Sequence, residues 1–304
     1  MDFQLSDEQK ALRAGIRELL ARRFVLRDAL RRAEAGGGLD AGAWRALGDA
    51  GFFALRLPEA DGGLGLGLPE AVLLFEEAGA ALLPGPLVAT FLAAGRVPGA
   101  AEGRTVVTRA DPASGLVEWL EAADAIEGIE GTGEPEGRAG RAVPLRSVDP
   151  LTPLHRAAAA ARAGAEAAAD TADGVLLTAA LQLGSASATC AMAAQHARER
   201  EQFGRPVGAF QAVQHLCADL LVRTEVARAA VYAAAVTGDP VEAAGAKLLA
   251  DDAAVRGARD CLQVYGGMGF TWEADVHLHL KRAWVRAEQW QRASEAEETL
   301  AAAL

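Results

Sequence analysis

Arg198-Glu199-Arg200-Glu201-Gln202-Phe203-Gly204-Arg205-Pro206-Val207-Gly208-Ala209-Phe210-Gln211-Ala212-Val213-Gln214 places three guanidinium groups, three amides and two phenyl rings in one short stretch. Its pattern is a helix end, a Gly-Arg-Pro turn, and the start of an amide-rich helix. Guanidinium groups clamp a phosphate in bidentate fashion, and a phenyl ring stacks on a heterocycle. The same residues also suit a solvated helix end, whose dipole favours arginine. The chemistry of this stretch alone leaves both readings open.

Working outward, amphipathic runs surround it. Gly174 to about Arg200, Phe210 to Thr237, Pro240 to Tyr265 and Trp272 to Ala303 read as four long helices. Gly204-Arg205-Pro206, Gly238-Asp239-Pro240 and Gly266-Gly267-Met268-Gly269 punctuate them. Helices of this length span about 37 Å each and suit an antiparallel bundle. The stretch Gln263-Val264-Tyr265-Gly266-Gly267-Met268-Gly269-Phe270 ends the third. Its glycines let a backbone approach a ligand closely, or simply cap the helix.

Towards the N-terminus, Ser6 and Gln9 stand in capping-box spacing, and Leu12, Ile16, Leu19 and Leu20 line one face of a first helix. Gly36-Gly37-Gly38 breaks the chain, and a second helix is expected from Asp40 to about Gly51. The loop Leu57 to Gly65 follows, then a helix opened by Pro69 and closed by Pro84-Gly85-Pro86, then a short one over Leu87 to Ala94. From Gly95 to Asp149 the runs Thr105–Thr108, Ala123–Ile129 and Ala142–Val148 alternate with Gly, Pro and Asp, the pattern of a small β region. Pro153 to Ala169 is ambiguous: its alanines favour helix, but it lies where the β region should end. The expected fold is mainly α with a small β region. An N-terminal helical domain spans 1–95, a truncated middle β domain 96–170, and a C-terminal four-helix bundle 171–304.

Composition narrows the function. With 41 acidic against 30 basic residues the net charge is −11, which argues against a nucleic-acid partner. Aromatics are only 5% of a chain rich in alanine, so its core is expected to rest on close helix contacts. Cys190, Cys217 and Cys261 are too widely spaced for a disulfide framework or zinc site and read as buried free thiols. No metal site is expected. His277 and His279, at i and i+2, do not share a helix face and read as surface or interface histidines. Met1-Asp2-Phe3-Gln4-Leu5-Ser6-Asp7-Glu8 lacks the pattern of a signal peptide, and no uninterrupted apolar run approaches a membrane span. A cytoplasmic location is the expectation.

Arg200–Gln214 and Gln263–Phe270, in this order and separation, resemble the acyl-CoA dehydrogenase family, which has R-x-x-F-G-x-x-I-x-x-F-Q-x-V-Q followed by Q-x-x-G-G-x-G-[FY]. The Leu57–Gly65 loop resembles its L-P-x-x-x-G-G-x-G, and Glu76-Glu77-Ala78-Gly79 follows as in that family. The resemblance implies α,β-dehydrogenation of an acyl-CoA thioester and an FAD laid across a subunit interface. It implies that Arg200, Gln202, Phe203 and Gln211, with Gln263, Gly266 and Gly267, meet the adenosine and diphosphate of that FAD.

The family also needs a carboxylate base, in one of two positions. One is about 23 residues beyond the Gly-Gly pair, where this chain has Trp290; the other is about 26 before Arg200, where it has Gly174. Neither is an acid, so no catalytic residue is expected here. Trp290 would instead fill the volume of a thioester. Glu288, two positions from Trp290 along the expected helix, would face away from the pocket. The family's T-E-P-x-A-G-S-D and W-x-x-N-A motifs are missing, with Thr108–Gly115 a loose echo of the first. Thr271–Ala283 is similar to the heteromeric α2β2 branch found in bacterial steroid side-chain breakdown. The expected protein is therefore a base-deficient subunit with an FAD adenosine site. Its expected partners are a homologous subunit carrying the catalytic Glu and most of the acyl-CoA site, and electron-transfer flavoprotein or a similar acceptor. The alternatives are a homo-oligomeric flavoenzyme using Glu288 as base, and a structural helical subunit without flavin.

Overall fold

Ser6 caps the first helix as its spacing predicts: its hydroxyl accepts from Gln9 N at 3.1 Å, and the Gln9 side chain accepts from Ser6 N. The structure, a computed structural model, describes residues 4–111, 114–128, 142–157 and 165–304, without the side chains of 165–169. The N-terminal helices are α1 (Asp7–Arg23), α2 (Leu26–Glu34), α3 (Ala41–Asp49), α4 (Leu68–Ala80) and α5 (Leu87–Ala93). One run was expected up to Gly36, but Phe24 adopts an extended conformation and divides it. Its ring turns inward against the core instead.

The β region follows. β1 (Val107–Arg109) pairs in parallel with β3 (Ala125–Glu127), while β2 (Leu116–Glu118), β5 (Leu154–Ala157) and β4 (Ala142–Leu145) form an antiparallel sheet in that order. Val117 lies opposite His155, and Val143 opposite Arg156. The ambiguous segment thus begins as the central strand of this sheet, because two neighbours supply its ladder bonds. Ile129 and residues 158–164 lie outside the described residues.

The bundle comprises α6 (Ala165–Glu199), α7 (Gln211–Thr237), α8 (Pro240–Tyr265), α9 (Val276–Ala287) and α10 (Ala293–Ala302), with a small hairpin, β6 (Glu201–Gln202) and β7 (Arg205–Pro206), between α6 and α7. Its fourth run corrects the expectation of one helix from Trp272 to Ala303. Trp290 has φ 64°, in the left-handed region that ends a helix. Glu295 then starts α10 by accepting from Arg292 N at 2.9 Å. By length and mean hydropathy (1.4) the segment Asp170–Glu199 is apolar enough to cross a membrane, yet 72% of that window is buried inside the fold. It is the core helix of the bundle.

Small residues let the helices meet closely, as the composition predicts. Ala243, Ala246, Ala250, Ala253 and Ala254 of α8 are all buried in the main core. Between α4 and α6 the approach reaches the backbone itself. A Cβ on Gly79 would stand 2.1 Å from Leu181 O, and one on Gly184 would stand 1.9 Å from Glu76 O. Charged groups bolt the same region. Buried Glu76 accepts from Arg13 Nη2 at 2.9 Å, from the Tyr232 hydroxyl at 2.7 Å, and from Arg228. Glu77 accepts from Arg13 Nε at 2.6 Å and Arg17 Nη2 at 2.7 Å. One pair of carboxylates therefore ties α1, α4 and α7 together.

Candidate functional site

α6 stops at Glu199, and the next residues fold back on themselves. Gln202 pairs with Arg205, while Phe203 (φ 55°) and Gly204 (φ 76°) make the tight hairpin turn, which needs positive φ at both positions. Glycine takes that conformation freely; phenylalanine does so only under constraint. The Phe203 side chain is 91% exposed, edge-on to Phe210 at 6.0 Å, and Arg205 lies 4.2 Å over the Phe210 ring. Arg200, Gln202 and Gln211 are exposed beside it.

Gln263, Gly266 and Gly267 are exposed at the end of α8, and nothing lies within 4 Å of where a Cβ on either glycine would be. The two groups of predicted residues are joined by His196 of α6, whose imidazole stacks on Tyr265 with centroids 4.0 Å apart. Burial and the nearby Arg200 charge lower the pKa of His196. Phe270 and Trp272 add further exposed ring surface just beyond. This end of the bundle therefore offers a guanidinium, side-chain amides, uncluttered glycine backbone and a bare phenyl ring. Those groups fit the diphosphate and adenosine of a dinucleotide.

Gly174 and Trp290 also come together. A Cβ on Gly174 would stand 2.1 Å from the Trp290 ring, so the indole lies directly on the glycine. The β region closes over the other side. Asp111 accepts the Trp290 backbone N–H, Arg109 stands 5.6 Å from the ring centroid, and Gln289 donates to Glu118 at 3.2 Å. Beside the indole remains a cavity of about 20 Å³, lined by Glu118, Thr178, Arg282, Arg286 and Gln289 among others. A flavin ring does not fit there. Burial pushes the Glu118 carboxyl up and the Arg286 guanidinium down to about 9. Arg282 is held by Asp149, which also accepts from the Thr152 hydroxyl at 2.6 Å.

Glu288 is exposed in the turn after α9, so the helical rotation expected to turn it away does not apply; the turn itself sends it to solvent. The histidines need correcting. His277 and His279 are 8% and 4% exposed, because α9 lies within the fold rather than on it. His279 meets the Ser185 hydroxyl at 2.8 Å, and burial with the Arg286 and Arg282 charges drives its pKa down to about 3. The three cysteines are free, and burial pushes the Cys261 thiol up to about 12, an inert state. Among the described residues no group of three His, Cys, Asp or Glu could hold a metal ion.

Sequence reasoning missed Arg109, Asp111 and Glu118. The first two lie in the Thr108–Gly115 stretch, where Asp111 accepts from Ser114 N at 2.7 Å in a local turn. That turn chemistry was the available signal for Asp111; for Glu118 on a three-residue strand there was none.

Residues 6–97 match the model for the acyl-CoA dehydrogenase N-terminal domain, and residues 172–289 match that for the C-terminal domain. The chain is 34% identical over 262 residues to acyl-CoA dehydrogenase IpdE2 of Mycobacterium tuberculosis, covering 81% of each. The ChsE4-ChsE5 complex from Mycobacterium tuberculosis contains a chain of the same fold, with TM-score 0.84 and 23% identity over 99% of this chain and 98% of that one. The Tcur3481-Tcur3483 steroid ACAD contains another, with TM-score 0.79 and 24% identity over 97% of each chain. By its two domain matches and its likeness to IpdE2 along most of its length, this chain belongs to the acyl-CoA dehydrogenase family.

Proposed function

We propose that this chain is the base-deficient subunit of a heteromeric, FAD-dependent acyl-CoA dehydrogenase. It contributes the adenosine and diphosphate half of the FAD site, while a homologous partner carries the catalytic carboxylate and most of the acyl-CoA pocket. The observation that carries this reading is the pairing of Gly174 with Trp290: neither position holds an acid, and the Trp290 ring occupies the space that a side chain at 174 would need. FAD held there would supply the acceptor for the hydride of the thioester β-carbon. Arg200 would neutralise the diphosphate, Gln202, Gln211 and Gln263 would supply polar contacts, Phe203 would offer a stacking face, and Gly266 and Gly267 would admit the ligand to the backbone. The α-proton is removed elsewhere, since general-base catalysis needs an acceptor within hydrogen-bonding reach. The exposed position of Glu288 weighs against it as an alternative base.

Partner docking is supported by apolar side chains left bare on α7. Leu221, Val222, Val226 and Val236 are each about half exposed or more, an arrangement that a subunit interface explains. The partner completes an α2β2 assembly acting on steroid side-chain thioesters, in keeping with the steroid ACAD of the same fold, and passing electrons to electron-transfer flavoprotein or a similar acceptor.

Two experiments test it. Purified alone, the chain is expected to be colourless or poorly flavinated, and yellow when co-expressed with its partner; a stoichiometric flavin spectrum from the folded lone chain would sink the proposal. In the complex, Arg200→Ala is expected to weaken FAD binding tenfold to a hundredfold, the loss of roughly 1.5–3 kcal/mol that a charge-assisted bond contributes. Equal flavin retention in mutant and wild type would return Arg200 to the status of a solvated helix-end charge.

A further inference from the structure

Trp290 is a bulky side chain held where backbone sterics disfavour one, at φ 64°. Such a conformation persists only where the surroundings over-determine it. Here the constraints come from both sides. Gly174 of α6 admits the ring from below; any side chain there would meet it at 2.1 Å. The β region holds it from above, through Asp111 on its backbone N–H, Arg109 over its ring and Glu118 on the neighbouring Gln289. What remains is about 20 Å³, room for about one water molecule. A bound acyl tail or flavin ring needs on the order of 300 Å³ or more.

We infer that the Gln289-Trp290 turn is a built-in seal that closes this chain's own acyl and flavin-ring bed, with the β region as its clamp. The inference rests on the base-deficient reading and takes it one step further. A pocket that lacks only its base still binds thioester and holds it without turnover. A sealed pocket binds none, so every thioester molecule reaches the bed that can react. Trp290 is thus the residue that sets which half of the assembly receives substrate.

The test is a double-mutant cycle on the purified full-length chain, which needs no partner. Gly174 lies inside α6, and alanine ordinarily stabilises a helix interior relative to glycine by about 1 kcal/mol. Without a ring above it, Gly174→Ala should therefore raise Tm by about 2–4 °C. With the seal in place it is expected to lower Tm by several degrees instead, and to turn stabilising again when added to Trp290→Ala. In a second arm, Trp290→Gly is expected to take up indole in the vacated space and gain Tm with indole concentration, while the wild type does not respond. A rise in Tm for Gly174→Ala in the wild-type background overturns the seal, and this single variant decides the matter even where the Trp290 variants fail to fold. A lone chain that binds flavin stoichiometrically would overturn both the seal and the heteromeric reading, whereas a colourless lone chain in which Gly174→Ala raises Tm would sink the seal alone.

Discussion

Glu76→Ala is expected to lower the free energy of unfolding by about 3–5 kcal/mol, the loss typical of removing one partner from a buried charge network. Glu76 is 1% exposed and meets groups from two other helices: Arg13 on α1, Arg228 and Tyr232 on α7. Among the described residues, its removal leaves the Arg228 guanidinium with only the exposed Glu225, 3.2 Å away, as an ion-pair partner. The Tyr232 hydroxyl, its pKa pushed up to about 12 chiefly by burial and next by Glu76, loses its acceptor. Urea denaturation reads the effect directly, and a loss below about 1 kcal/mol would show that the network contributes little. Adjacent Glu77 adds a pH dependence. Burial acts to raise its pKa, but the hydrogen bonds and charges of Arg17 and Arg13 outweigh it and hold the carboxyl below its ordinary 4.5. A depressed carboxyl stabilises the fold at pH above its unfolded value, and that contribution fades as pH falls through the folded value. Stability should therefore decline below about pH 4.5, and Glu77→Gln should flatten that decline.

The largest effect on activity is expected outside this chain. In the purified complex, Glu288→Gln should leave turnover within about twofold of wild type. Removing the catalytic carboxylate proposed for the partner should cost the factor of 10²–10⁴ that a positioned base typically supplies. Titration of an α2β2 assembly with a tight-binding acyl-CoA analogue should bleach the flavin with two equivalents per tetramer. Four equivalents, or a large loss from Glu288→Gln, would place an open catalytic site in this chain.

Much of the fold was legible because the signals that set it are local. The ends of α7 and α8 follow from a glycine at 238 that takes the left-handed conformation and from Asp239 and Pro240 behind it. The hairpin at 203–204 lies where Gly204-Arg205-Pro206 marks a turn. The break between α9 and α10 was not legible, because it is imposed from far away in sequence: Asp111 captures the Trp290 N–H across 179 positions. The burial of His277 and His279 was missed for a related reason. Helical spacing says which residues share a face, but not how much of the helix is covered, and most of α9 is buried, with Trp284 left exposed. In the site, the ligand-type residues at the bundle end could be picked out from their motif. The clamp of Arg109, Asp111 and Glu118 could not, since it exists only once a strand region and a helix turn have met.

The contact between α4 and α6 bears on how the chain is made. Gly79 lies at backbone distance from Leu181 and Gly184 from Glu76, and Glu76 also waits for an arginine 152 residues further along. During synthesis, at roughly 5–20 residues per second, about 8–30 seconds separate the appearance of Glu76 from that of Arg228. Throughout that interval Arg13 and Arg17 of α1 can meet the Glu76 and Glu77 carboxylates, but the face of α4 that packs on α6 has nothing to receive it until α6 emerges. The first hundred residues therefore cannot finish folding on the ribosome ahead of the rest, and the nascent N-terminal segment must be kept from aggregating until the bundle has emerged.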